Sequence, residues 1–213
     1  KKTDLPAVCA VIVAAGSSLR MGGENKLLLP LCGKPVLAHT LTAFQMCGAV
    51  RDIVLVCREQ DMEVYRTLAA ENGITKLRTL TRGGDTRTES VLAGVSAASE
   101  ACALVAVHDG ARPLVSDEVI TQAVDEAAKT GAAAPVVPVK DSIKRIENEK
   151  IAADVPRDTL AAVQTPQVFR AELLRRAVGP GQIGDGGAQA HGRTASDEGA
   201  HERQLRMGQA GKA

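Results

Sequence analysis

Apolar runs of strand length recur along the chain, each followed by a polar loop and then by apolar positions at helical spacing. Residues 8–14 are continuously apolar, which predicts a first strand buried on both faces. Leu37, Leu41 and Phe44 fall on one side of a helix expected over 36–46. Residues 52–57 read as a second strand and 61–70 as a helix. A weaker strand is expected at 74–79. A helix over 88–98 would set Val91, Leu92 and Val95 on one face, and another short strand is expected at 103–107. Ser116 stands before Asp117, Glu118 and a stripe of Val119, Ile120, Ala123 and Val124, which reads as a capped helix with acids in its first turn. Residues 132–139 read as a strand that Pro135 and Pro138 place near an edge. Strands alternating with helices predict an α/β fold with a mostly parallel sheet and helices on both faces. On such a sheet, ligands sit beyond the carboxyl ends of the strands.

Two segments break the pattern. Residues 140–158 are densely charged around Ile143, Ile146, Ile151 and Val155, which predicts a β-hairpin arm at about 139–159. A long exposed arm on a compact domain packs on a partner subunit in the usual case, so a homodimer through the arm is expected. From Gly179 the composition shifts. Nine of the last 35 residues are Gly, and only Ile183 and Leu205 come from the Ile, Leu, Val and Phe set. The expected organisation is a single domain over 1–178 and an atypical tail over 179–213, poorly ordered or read out of frame.

Composition narrows the function classes. With 213 residues and 45% hydrophobic positions, one full core can be buried. Lys and Arg number 26 against 25 Asp and Glu, so there is no general pull toward nucleic acid or an anionic membrane. The aromatics are Phe44, Tyr65 and Phe169, too few for a base-stacking platform. No run reaches the length of a membrane span and no signal peptide opens the sequence. Cys9, Cys32, Cys47, Cys57 and Cys102 are odd in number and widely spaced, which suits small buried hydrophobes in a reducing cytoplasm rather than disulfides or zinc.

Three loops carry candidate chemistry. The first is Ala14, Ala15 and Gly16, continuing through Arg20 to Lys26. Small residues let backbone N–H groups approach phosphate oxygens, and the two cations add the charge a polyphosphate needs. It matches neither the Walker nor the dinucleotide pattern, and an ordinary strand-to-helix turn would also look like this. The second is 82–90, where Gly83 and Gly84 open the backbone, and Asp85 and Ser90 can hydrogen-bond a base or sugar. Arg87 there can pair with a carboxylate or phosphate, and a helix start capped by Thr86 or Asp85 is the plainer reading. The third is His108, Asp109, Gly110, Ala111, Arg112 and Pro113. A carboxylate at a strand's carboxyl end suits a magnesium ion bridging phosphates, whereas His108 reads as structural.

These loops, with Asp141–Arg145 and Thr165–Phe169, resemble in order and spacing the motifs of the 2-C-methyl-D-erythritol 4-phosphate cytidylyltransferase family. The resemblance runs from about Val8 to Val178. It implies a Rossmann-like sheet of the nucleotide-diphospho-sugar transferase type, with a protruding β-arm that crosses to a second subunit. It implies transfer of CMP from CTP to a sugar-alcohol phosphate with release of pyrophosphate. Ala14, Ala15 and Gly16 would line the nucleotide, with Arg20 and Lys26 on its phosphates. Gly84, Asp85 and Ser90 would read the cytosine. Asp109 would bind Mg2+. Arg112, Ser142, Arg157 and Thr165 would serve the sugar phosphate, Ser142 and Arg157 being offered from the arm. The family's C-terminal Asn-Ile-Lys segment has no match after Gly179. A ribitol 5-phosphate cytidylyltransferase, or a catalytically weak CTP-binding protein, stands as the alternative.

Overall fold

The apolar run at the start of the chain forms the axis of a three-layer structure. In a computed structural model that describes residues 6–16 and 25–177, it becomes β1 (Val8–Val13). A short hairpin of β2 (Pro30–Leu31) and β3 (Lys34–Pro35) leads into α1 (Val36–Met46). Then come β4 (Val50–Cys57), a 3-10 turn at Glu59–Asp61, α2 (Met62–Glu71), β5 (Leu77–Arg82), α3 (Arg87–Ala97), β6 (Leu104–Asp109) and α4 (Asp117–Thr130). The chain continues through β7 (Ala132–Ala133), β8 (Val136–Pro138), β9 (Ile143–Glu147), β10 (Lys150–Val155), β11 (Ala161–Val163), β12 (Gln167–Arg170) and α5 (Ala171–Ala177).

The central sheet has the order β5-β4-β1-β6-β12-β7. β1 pairs in parallel with β4 and β6, and β4 with β5, whereas β12 runs antiparallel to β6 and β7. Alternation along β1 feeds two cores. Val8, Ala10 and Ile12 face α1, α2 and α4, through Leu37, Leu41, Phe44, Tyr65 and Ile120. Cys9 and Val11 face α3 and α5, through Val95 and Leu174. The chain leaves β1 for β4 on one side and later returns to β6 on the other. This is the switch point at which α/β sheets open a crevice.

Local signals explain several helix ends. Thr86 caps α3 in a reciprocal box with Glu89, and Ser116 accepts from the Val119 N–H at 3.3 Å to cap α4. The expected strand at 74–79 is corrected to β5, three residues later. Gly73, at φ 65°, closes α2, and the Ile74 N–H donates back to the Ala69 carbonyl at 2.9 Å. Ile74 is therefore the apolar plug of a Schellman stop, not the start of a strand. The expected strand at 132–139 divides as well. β7 stays at the sheet edge, the chain breaks at Pro135, and β8 leaves to pair with β11.

β9 and β10 form a hairpin within the segment expected to hold the arm. Asn148 and Glu149 turn it at φ 49° and 62°, both left-handed, as a tight hairpin requires. Ile146 and Ile151 lie directly across from each other, 57% and 69% exposed. Among the described residues no helix is long and apolar enough to cross a membrane. The atypical tail expected at 179–213 lies outside the described residues.

Candidate active site

Three loops converge where β1, β5 and β6 end. The Ala14 N–H donates to the Val56 carbonyl at 2.7 Å, the Gly83 N–H to the Cys57 carbonyl at 2.9 Å, and the Gly110 N–H to the Val13 carbonyl at 2.9 Å. These bonds pin the first residues after each strand to a neighbouring strand, so the loops start from one rigid edge. Gly83 is required by packing. A Cβ there would lie 2.5 Å from the Ala15 Cβ and 2.7 Å from the Ser90 Oγ. The first two candidate loops are therefore in contact. A Cβ on Gly94 would collide with Val11 and Val56, so its absence lets α3 lie close against the sheet and carry its first turn over the end of β1.

At that first turn stands Arg87. Its Nη2 donates to Oδ1 of Asp109 at 3.0 Å, and Arg112 Nε donates to Oδ2 at 3.1 Å. Partial burial opposes ionisation of Asp109, but the two guanidiniums outweigh it and hold the carboxyl below its usual range. Arg112 also donates through Nη1 to Gln164 Oε1 at 2.5 Å. Among the described residues no cluster of three His, Cys, Asp or Glu side chains forms a protein cage for a metal. One ionised carboxylate at the mouth of these loops is instead a donor set that would suit magnesium, which takes one or two protein oxygens and completes its shell from phosphates and water.

Lys26 is exposed on a loop held firmly on either side. The Asn25 amide donates to the Tyr65 hydroxyl at 2.8 Å and accepts from the Leu27 N–H at 3.1 Å. The Leu37 N–H in turn donates to the Leu27 carbonyl at 3.0 Å. Arg20 lies outside the described residues. Ala14 is buried, Ala15 half-buried and Gly16 exposed, in a gradient toward solvent. Gly84 and Asp85 are exposed, while Ser90 is buried with its hydroxyl 3.4 Å from the Gly84 carbonyl.

His108 is structural, as expected. It is fully buried, and burial pushes its pKa down to about 4. Its Nε2 lies 3.1 Å from the Arg112 carbonyl and its Nδ1 2.9 Å from the Thr165 hydroxyl. Thr165 is thus only 8% exposed, and its hydroxyl is engaged inside the protein. Ser142 is exposed just before β9, and Arg157 lies on the 3-10 turn Arg157–Thr159 after β10. Arg157 Nη1 donates to the Lys140 carbonyl at 2.8 Å, tying together the two ends of the arm. Among the described residues, Arg157 hydrogen-bonds the arm's Lys140 and no residue of the three loops. No local pattern signals the Asn25–Tyr65, Thr165–His108 or Gln164–Arg112 bonds, because each joins residues at least 40 apart.

A family model described as 2-C-methyl-D-erythritol 4-phosphate cytidylyltransferase matches residues 8–204. The match runs past Val178, into the segment where the motif resemblance ends. The cytidylyltransferase of Dehalococcoides mccartyi is 43% identical over 171 residues, 80% of this chain and 75% of the relative. That of Halalkalibacterium halodurans is 46% identical over 168 residues, 78% of this chain and 73% of the relative. Among solved structures, the 4-diphosphocytidyl-2C-methyl-D-erythritol synthase of Anaerococcus prevotii superposes with a TM-score of 0.73 at 28% identity, covering 81% of this chain and 75% of that one. The Thermus thermophilus enzyme gives 0.59 at 32% identity, covering 79% and 73%.

Proposed function

The chain belongs to the 2-C-methyl-D-erythritol 4-phosphate cytidylyltransferase family, and from that premise we propose how its own residues perform the transfer. It is a nucleotidyltransferase that moves CMP from CTP to 2-C-methyl-D-erythritol 4-phosphate, releasing pyrophosphate, in isoprenoid precursor synthesis. The relatives named above do not favour a ribitol phosphate substrate.

The reaction needs no general base. The substrate phosphate is anionic at neutral pH and attacks the α-phosphorus of CTP in line with the departing pyrophosphate. The barrier is the crowding of negative charge and the alignment of two anions. The Ala14–Ala15–Gly16 backbone and the Gly83–Gly84 loop hold the nucleotide, with Asp85 and Ser90 reading the base. Lys26, with Arg20, supplies positive charge where it grows on the α-phosphate and the leaving group. Asp109 would hold a magnesium ion, which supplies further charge neutralisation across the phosphates when bound. Arg112, Ser142, Arg157 and Thr165 form the sugar-phosphate side. We place the arm's Ser142 and Arg157 in the site of a second copy, in a homodimer. The exposed Ile146–Ile151 pair supports this as a surface fit for burial. Five free thiols support a reducing, cytoplasmic setting.

The observation that carries this reading is the convergence of three loops, at residues 14–16, 83–90 and 109–113, on one end of the sheet. The test is pyrophosphate release from CTP and magnesium, with methylerythritol phosphate or ribitol 5-phosphate as acceptor. Release with methylerythritol phosphate is expected. Release with ribitol 5-phosphate alone, or CTP binding with no turnover, would overturn it.

A further inference from the structure

We infer that His108 is a positioning residue whose imidazole clasps the 109–113 loop to the Gln164–Thr165 segment, and so couples the nucleotide half of the site to the sugar-phosphate half. The inference rests on the cytidylyltransferase reading above.

His108 is the penultimate residue of β6 and points into the core layer beside α1, where its ring centroid lies 4.9 Å from that of Phe44. Both ring nitrogens are used. The Arg112 carbonyl can only accept, so Nε2 carries the proton and donates to it at 3.1 Å. Nδ1 is then a bare acceptor, and the Thr165 hydroxyl donates to it at 2.9 Å. One neutral tautomer satisfies both bonds, with Phe44 packed against the ring. The partners are a backbone carbonyl of the nucleotide-side loop and a side chain 57 residues further along the chain.

Two more bonds act in the same direction. Thr40 Oγ1 donates to the Gly110 carbonyl at 2.8 Å and fixes the start of the loop from α1. Arg112 Nη1 donates at the surface to Gln164, the residue just before Thr165. The loop bearing Asp109 and Arg112 is therefore joined to the segment that follows the arm by an inner, buried clasp and an outer, exposed one. With the clasp closed, the one proton of the Thr165 hydroxyl is spent on Nδ1 and is not offered to a phosphate. Thr165 then serves the sugar phosphate through His108, by fixing where the arm-side segment stands relative to Arg112.

The test compares Thr165→Val, which keeps the shape and removes the hydroxyl, Thr165→Ser, His108→Gln and the double variant His108→Gln/Thr165→Val. For each, kcat and both KM values are measured. Sugar-phosphate affinity is also measured with and without α,β-methylene-CTP. Thr165→Val and His108→Gln are each expected to lower kcat/KM for the sugar phosphate about three- to tenfold, the worth of one neutral hydrogen bond. The loss should appear mainly as weaker synergy with the CTP analogue. The double variant should be no worse than the worse single one, because both remove the same bond. Thr165→Ser should recover most of what Thr165→Val loses. In the wild type, a 15N spectrum of labelled histidine should place the His108 proton on Nε2. That measurement stands even if His108→Gln fails to fold. Multiplying losses in the double variant would overturn the inference. So would an Nδ1-protonated His108, or a Thr165→Val that weakens the sugar phosphate equally with and without the analogue. Wild-type turnover in the same assay separates failure of this inference from failure of the functional reading.

Discussion

Arg87, the first residue of α3, reaches past the end of β1 to place its Nη2 3.0 Å from Oδ1 of Asp109, the last residue of β6. The pair joins two of the three site loops. As a surface ion pair, with the Arg side chain 52% exposed, it is worth at most about 1 kcal/mol to stability. Its consequence is electrostatic. Asp109 stays ionised, and two guanidiniums stand beside it where phosphates would arrive. Arg87→Ala should therefore leave the melting temperature close to wild type, since Thr86 and Glu89 still cap the helix. It should weaken CTP about tenfold or more, the worth of one charge-assisted contact. Calorimetric titration with CTP checks this; unchanged affinity would limit Arg87 to orienting Asp109.

Lys26→Ala should cut kcat by about 100-fold or more while leaving the fold intact. The side chain is exposed and its loop is held by Asn25 and Leu27, and among the described residues no hydrogen bond or ion pair uses the ammonium. Turnover and melting temperature measured on one preparation decide it. Near-wild-type values of both would remove Lys26 from the mechanism.

Gly83→Ala should destabilise the protein by roughly 1–3 kcal/mol, because the new methyl meets Ala15 and Ser90 where little can move. It should also weaken CTP, since relief of the clash pushes the first loop away from the second. Denaturant midpoints and CTP titration give the two numbers. A loss of stability with no change in CTP affinity would dissociate the contact from nucleotide binding.

The parts of the fold legible in the sequence were those written locally. The apolar run of β1, the 36–46 helix face and the Ser116 cap all sit where their patterns place them. Ile74 misled because an apolar residue after a helix can open a strand or plug a Schellman stop, and composition alone does not separate the two. The site was legible as motifs and illegible as a network. Asp109 carries its chemistry in its type and position, and Arg112 pairs with it from three residues on, but Arg87, 22 residues upstream, is brought to it by how α3 crosses the sheet. Thr165 shows the same gap. Its motif assigns it to the substrate, while folding gives its hydroxyl to His108.

Buried acids set an alkaline limit. Burial pushes Cys9 up to about 12, Cys57 up to about 11 and Tyr65 up to about 12, all above their unfolded values. The folded state therefore keeps protons that the unfolded state gives up. Stability is fully present below about pH 8.5 and declines as pH rises through the folded values, by up to about 1.4 kcal/mol per pH unit for each group. Denaturant midpoints between pH 8 and 11 should fall steadily. Cys9→Ala should start lower and fall less steeply; an equal slope would mean that Cys9 ionises normally in the fold.

Arg157→Ala should raise KM for the sugar phosphate far more than KM for CTP. Arg157 lies beyond β10, where its Nη1 bond to the Lys140 carbonyl draws the two ends of the arm together. That bond uses one of five guanidinium donors and leaves a fork suited to a phosphate. Losing the charge-assisted contact corresponds to about a 10- to 150-fold rise. Arg157→Lys should recover only part, because an ammonium replaces the charge without the fork. Sharing of the site across a dimer has its own readout. In a mixture of Arg157→Ala with Lys26→Ala protein, a hybrid dimer would hold one site with both defects and one with neither. The mixture should then regain activity that neither protein has alone, up to about a quarter of wild type if subunits mix statistically and each intact site works independently. Absence of recovery, under conditions where labelled subunits demonstrably exchange, would keep Arg157 within its own subunit and confine the arm to a structural role.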